Sequence, residues 1–265
     1  MCGVFTYSEQ KPHKHRQLGN NPTTRKSDYG INPLSAFGWE FFGTAILLLF
    51  GNGVCAAVNL RTSATKGTGW LMIAFGWGLG VFIGASIADP TGGHLNPAVT
   101  IWAAVAGNLS WSLVPAYIAG QMLGAMVGAG LAYLAYKQMF DHHDEAIPGG
   151  IFFTRPAHPK NGWNCLTEFI ATFALLAFIA FAPSNGELGP LTYFGVAFII
   201  VAIGLSVGTP TGYAINPVRD LSPRLMYAFV LPLKSKESAS WSYAWVPIIG
   251  PMLAAVAVGL LSLAI

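Results

Sequence analysis

Charge is scarce in this 265-residue sequence: 14 Lys and Arg with 11 Asp and Glu amount to 9% of the chain, against about 25% in an average soluble domain. With 53% hydrophobic residues beside it, that scarcity argues against a water-soluble globular protein. The net charge of +3 does not form an extended basic surface, because seven of the charges lie in the first 35 residues; nucleic acid is not an expected partner. Cysteine is nearly absent. Cys2, Cys55 and Cys165 are far apart, odd in number and without CxxC spacing, so neither a disulfide framework nor a zinc site is indicated, and they read as small apolar fillers. There is no paired nucleophile and base in a polar setting and no phosphate-binding glycine loop, so no enzyme, cofactor or metal is expected. Residues 1–35 lack the apolar core and cleavage site of a signal peptide and read as a polar, disordered N-terminal tail.

What the sequence has instead is long charge-free stretches. A membrane helix needs about 20 mainly apolar residues to cross about 30 Å of hydrocarbon, and 41–60, 67–88, 169–186 and 238–265 each suit one span. The runs 90–136 and 188–218 are too long for single helices. Asp89-Pro-Thr-Gly-Gly-His-Leu-Asn-Pro97 and the turn Gly107-Asn-Leu-Ser110 break the first, leaving about ten helical residues, about 15 Å, between them. Gly208-Thr-Pro-Thr-Gly212 breaks the second, and the segment from Pro217 carries Arg219, Asp220 and Arg224, which a lipid-facing span would not tolerate. The expected organisation is six spans, near 36–59, 68–88, 112–137, 164–183, 190–208 and 242–264, with two half-helices near 97–107 and 217–229.

The chain also repeats itself. Glu40-Phe-Phe-Gly-Thr-Ala-Ile-Leu-Leu-Leu-Phe50 aligns with Glu168-Phe-Ile-Ala-Thr-Phe-Ala-Leu-Leu-Ala-Phe178, Asn96-Pro-Ala98 with Asn216-Pro-Val218, and Ile118-Ala-Gly-Gln-Met-Leu123 loosely with Ile248-Ile-Gly-Pro-Met-Leu253. The order is preserved, which points to a duplication: repeat one at about 36–137, repeat two at about 164–264, a joining loop at 138–163, and a channel domain of 36–265 in all. Three spans per repeat is an odd number, so the second repeat enters the membrane from the opposite face. Broken helices in inverted repeats place a site near the midplane, where irregular backbone lines a solvated cavity. The charge bias for orientation points both ways. Five Lys and Arg in the tail favour a cytoplasmic N-terminus, yet Arg61, Lys66, Arg155, Lys160, Lys234 and Lys236 then fall outside.

Each Asn-Pro turn suits a helix start, with Asn as cap and Pro at the first helical position. Two copies, one per repeat, each behind a glycine-bearing turn, carry more information than one. Gly93-His-Leu-Asn-Pro-Ala-Val-Thr100 and Gly212-Tyr-Ala-Ile-Asn-Pro-Val-Arg-Asp220 resemble the paired signatures of the major intrinsic proteins, the aquaporins and glycerol facilitators, over about residues 36–264. The resemblance implies an all-α membrane protein of six transmembrane helices plus two re-entrant half-helices in an inverted 3+3 repeat. It implies that Asn96 and Asn216, with Pro97, Ala98, Pro217 and Val218, form the pore centre. Backbone carbonyls of Gly92, Gly93, His94, Leu95, Thr211, Gly212, Tyr213 and Ala214 would line one wall, with apolar spans opposite. Both half-helix N-termini would bring partial positive charge to the centre and disfavour cations.

The resemblance further implies a constriction formed by Trp77, Gly204, Tyr213 and Arg219. Trp77-Gly-Leu-Gly-Val81 and Asp220 follow the glycerol-facilitator pattern, and Gly204 stands where water-selective members usually have His. Arg219 would present up to five donors to solute hydroxyls and stay charged. Val218 and Tyr213 depart from the branch, which usually has Ala and Phe there; the Tyr213 hydroxyl either narrows the pore toward water or favours more polar solutes. The expected function is a passive channel for glycerol and other small neutral solutes, with water, that excludes ions and protons. Alternatives are a water-selective channel, or a proton-coupled transporter using Glu40 and Glu168; the resemblance instead implies that these two, with Asp220, are structural. It implies too a homotetramer in the plasma-membrane bilayer with cytoplasmic termini. Asp141-His-His-Asp-Glu145 reads as a solvated acidic loop and no metal site, His13 and His15 as tail residues without ligand partners, and Gly120, Gly124, Gly128 and Gly130 as helix-packing positions.

Overall fold

A computed structural model of the chain describes residues 31–182 and 191–265; residues 1–30, with Cys2, His13 and His15, lie outside them. The described residues form α1 (Pro33–Asn59), α2 (Trp70–Ile87), α3 (Pro97–Val105), α4 (Val114–Ala135), α5 (Lys137–Asp141), α6 (Asn161–Phe181), α7 (Thr192–Ser206), α8 (Pro217–Leu225) and α9 (Val246–Ala264). Five helices are long and apolar enough to cross a bilayer, while the span at α7 is a shorter apolar helix of 15 residues. The half-helices α3 and α8 have nine residues each, about 14 Å, and α8 continues into a wider turn at Met226–Val230.

The packing pairs are exchanged by a two-fold relation. α1 packs on α4 as α6 packs on α9, α3 meets α9 as α8 meets α4, and α2 meets α7 at the junction. Each half-helix is thus held largely by the other repeat. Close approach of α1 and α4 depends on glycine: a Cβ on Gly120, Gly124 or Gly128 would stand 2.4, 2.3 or 2.3 Å from the carbonyls of Phe37, Phe41 and Ala45. Gly130 is not on that seam, since its nearest neighbour is the Met226 methyl at 3.5 Å.

Two expectations are corrected. Residues 33–35 belong to α1 and not to the tail, because Asn32 accepts from the Ser35 N–H at 2.8 Å and Pro33 opens the helix. The 138–163 connection is a loop only in part, and its acidic stretch 141–145 is not solvated throughout. It begins inside α5, where Lys137 pairs with Asp141 and holds that carboxyl below its ordinary range. Ile147, Ile151, Phe152 and Phe153 are in the core, and the Asn52 amide of α1 donates to the Ile151 and Phe152 carbonyls at 2.9 and 3.2 Å. His143 is buried too, its Nδ1 accepting from the Arg61 N–H at 3.3 Å, while Asp144 pairs with the Arg61 guanidinium at 2.7 Å. No group of three potential metal ligands occurs among the described residues.

Candidate functional site

The centre of the site is built from the two Asn-Pro turns. Asn96 caps α3 by accepting from the Ala98 N–H at 2.9 Å, and Asn216 caps α8 by accepting from those of Val218 and Arg219 at 3.1 and 3.3 Å. With each Oδ1 so fixed, the amide nitrogens cross between repeats. Asn96 Nδ2 donates to the Ile215 carbonyl at 2.8 Å and Asn216 Nδ2 to the Leu95 carbonyl at 2.9 Å. An amide nitrogen has two N–H donors, of which these bonds use one each, and both asparagines line the cavity. Pro97, Ala98, Pro217 and Val218 are buried behind it.

Irregular backbone must be held at this depth by protein groups. Glu40 accepts from the Thr91 hydroxyl at 2.7 Å, the N–H groups of His94 and Leu95 at 3.1 and 2.7 Å, and the Gln121 amide at 2.7 Å. Glu168 accepts from the N–H groups of Ala214 and Ile215 at 2.9 and 2.8 Å. Both carboxylates therefore lock left-handed backbone in place, since Leu95 and Ile215 have φ of 54° and 46°, a region costing about 1–3 kcal/mol for such residues. Asp220 accepts from the Thr154 N–H and hydroxyl at 2.7 and 2.6 Å and pairs with Arg224 at 2.6 Å. It ties the connecting loop to α8.

A cavity of about 490 Å³ runs past these turns. Among its lining residues are Gly92, Gly93, His94, Leu95, Asn96, Tyr213, Ala214, Ile215 and Asn216 on the turn side, and Leu47, Val81, Leu175, Phe178, Val196 and Ile200 on an apolar side. Trp77, Tyr213 and Arg219 also line it. The Arg219 guanidinium stacks over the Trp77 ring at 3.9 Å and has no ion pair among the described residues, so its donors are uncommitted. The cavity can offer an amphipathic neutral solute donors and acceptors along one side and hydrocarbon along the other.

Three residues are placed differently from the sequence expectation. Gly204 does not line the cavity; it lies behind the Tyr213 ring, where a Cβ would be 3.0 Å from Tyr213 Cζ, so its missing side chain makes room for that ring. Thr211 and Gly212 do not line it either: Thr211 is fully buried and Gly212 packs against Thr154. Sequence reasoning passed over Ile215, although its place directly before the second Asn-Pro marks it, and Gln121, whose polarity inside a span was the available signal.

Comparison with known proteins follows the same lines. The family profile described as major intrinsic protein matches residues 31–262. A glycerol uptake facilitator protein of Bacillus subtilis is 47% identical over 222 residues, 83% of this chain and 81% of that protein. A probable glycerol uptake facilitator protein of Thermotoga maritima is 45% identical over 222 residues, 83% of this chain and 94% of its own. Among solved structures, the aquaglyceroporin from Plasmodium falciparum superposes with a TM-score of 0.74 at 31% identity, covering 86% of this chain and 95% of its own.

Proposed function

This chain belongs to the major intrinsic protein family, and on that premise we propose that it is a passive transmembrane channel for glycerol and other small neutral solutes, conducting water as well and excluding ions and protons. The observation that carries the reading is the two-sided cavity, with uncommitted donors on Arg219, Asn96 and Asn216 facing an apolar wall. A polyol entering past Trp77 and Tyr213 exchanges water for Arg219 donors while its carbon backbone lies on the aromatic rings. At the centre the free N–H of each asparagine receives the solute oxygen, and the half-helix N-termini, each worth about half a positive charge, oppose cations. Glu40 and Glu168 are spent on loop N–H groups, so neither is available to couple transport to a proton.

The finer reading places Trp77, Tyr213 and Arg219 at the filter with Gly204 behind it, and treats 36–137 and 164–264 as the two inverted copies. It sets the protein in the plasma membrane as a homotetramer with one pore per chain and cytoplasmic termini. Support for the assembly and orientation is the family pattern; the exposed apolar side chains on α1, α2, α4, α6, α7 and α9 suit a bilayer environment. Stopped-flow light scattering on proteoliposomes tests the function. Glycerol uptake well above that of protein-free vesicles, without any ion gradient, is the expected result; water flux alone would make the channel water-selective, and uptake that requires a proton gradient would overturn the passive mechanism.

A further inference from the structure

Trp70 opens α2 and is half-buried, two turns before Trp77 on the same helix face. It does not line the cavity. Its indole nonetheless touches the filter residue Tyr213 and the Gly204 backbone behind it. The Nε1–H donates to the Gly204 carbonyl at 2.6 Å, one of the last four carbonyls of α7, which have no partner within their own helix. The same ring meets Tyr213 edge to face, with centroids 5.7 Å apart and planes at 71°. Tyr213 is buried, its hydroxyl is shut off from solvent and has no hydrogen-bond partner among the described residues, and that oxygen would stand 3.2 Å from a Cβ placed on Gly204. No polar contact of its own therefore fixes the Tyr213 ring. Packing does: the indole meets the ring edge to face, and the Gly204 and Gly208 positions lie close to it as well.

We propose that Trp70 is a positioning residue for solute size selection, setting the aperture of the filter by bracing the Tyr213 ring and anchoring the Gly204 carbonyl of α7. The inference rests on the channel reading above. Without the indole the ring recedes into the vacated space and the opening widens, so longer polyols gain relative to glycerol.

The experiment compares glycerol, the four-carbon polyol erythritol and water fluxes in proteoliposomes of the full chain, for the wild type, Trp70→Leu and Trp70→Phe. In Trp70→Leu the erythritol-to-glycerol ratio is expected to rise by about fivefold, within the discrimination that one added carbon in a pocket allows. Trp70→Phe keeps a ring but loses the N–H, and is expected to raise the ratio by less. In a Tyr213→Ala background the Trp70→Leu change should have no further effect, because the ring it braces is gone. An unchanged ratio in both Trp70 variants, or an equal loss of all three fluxes, would overturn the proposal, as would full additivity with Tyr213→Ala. Absence of glycerol flux in the wild type would instead sink the channel reading itself, so the two failures are distinguishable.

Discussion

The half-helices α3 and α8 begin identically and then diverge. Each has an extended Asn cap with φ of −154°, a Pro at its first position, and an amide that reaches into the other repeat. Three and four residues after the asparagine, however, α3 has Val99 and Thr100 where α8 has Arg219 and Asp220. Val99 leaves the cavity wall apolar, while Arg219 puts a charged donor into it; Thr100 bonds within its own repeat, to the Asn96 carbonyl and Gln121, while Asp220 pairs with Arg224 one turn on in α8 and also holds Thr154 of the connecting loop. The buttresses diverge too. Glu40 has the Gln121 amide as an extra donor, and at the corresponding place repeat two has Pro251, which has none to give. The two caps thus share the same chemistry, while the residues just after them make one side of the cavity wall apolar and the other charged.

The largest effect is expected where the asymmetry is ionic. Asp220→Asn leaves the fully buried Arg224 without its counter-ion, at a cost of about 3–5 kcal/mol, and should abolish the folded peak in detergent size-exclusion chromatography. Thr100→Val, its counterpart in repeat one, loses neutral hydrogen bonds worth about 0.5–1.5 kcal/mol each and should leave that peak intact. If both variants behaved alike, the contrast between α3 and α8 would be cosmetic.

Next come the buttresses. Glu40→Gln and Glu168→Gln each put an amide donor among backbone N–H groups, with about 1–3 kcal/mol at stake for every donor left unpartnered. Because Glu40 serves four donors in the repeat-one turn and at its Gln121 tie, its variant is expected to lower the melting temperature more than the Glu168 variant does. The reverse order would place the heavier demand on repeat two.

Making the walls alike sharpens the comparison on function. Arg219→Val copies the repeat-one residue into α8 and is expected to raise cation leakage by about tenfold, about 1.4 kcal/mol of barrier, with looser solute discrimination. Liposomes showing unchanged ion tightness and unchanged polyol preference would refute the assignment of Arg219 to the filter. The smallest effect is at Asn32: Asn32→Ala loses a cap worth about 1 kcal/mol and should leave glycerol flux unchanged, since Asn32 does not line the cavity, whereas Asn96→Ala loses its cap and its bond to the Ile215 carbonyl and should slow glycerol.

Much of the architecture was legible because membrane solvent leaves few options. Charge-free runs of span length become helices, and helix-breaking clusters inside such runs become re-entrant turns, so the two half-helices could be read from their Pro, Gly and Asn and, in the second, from Arg219, Asp220 and Arg224. The loop at 138–163 was harder. Its apolar run Ile147–Phe153 carries the hint that it dips into the core, but the Asn52 hydrogen bonds that hold it join residues about a hundred positions apart. Gly204 shows the same limit. Its lack of a side chain is plain in the sequence, while the fact that the freed space holds the Tyr213 ring, and does not simply widen the opening, depends on how α2, α7 and the second turn meet.

Asn32-Pro33, Asn96-Pro97 and Asn216-Pro217 condense the division. The sequence by itself determined that all three start helices, because capping is a local matter of one side-chain oxygen and the next few N–H groups. Only the tertiary structure decided that two of them sit at a cavity with an amide hydrogen to spare while the third merely opens α1. That difference arises from what lies opposite each amide nitrogen: a carbonyl of the other repeat, brought within 3 Å by packing of distant helices.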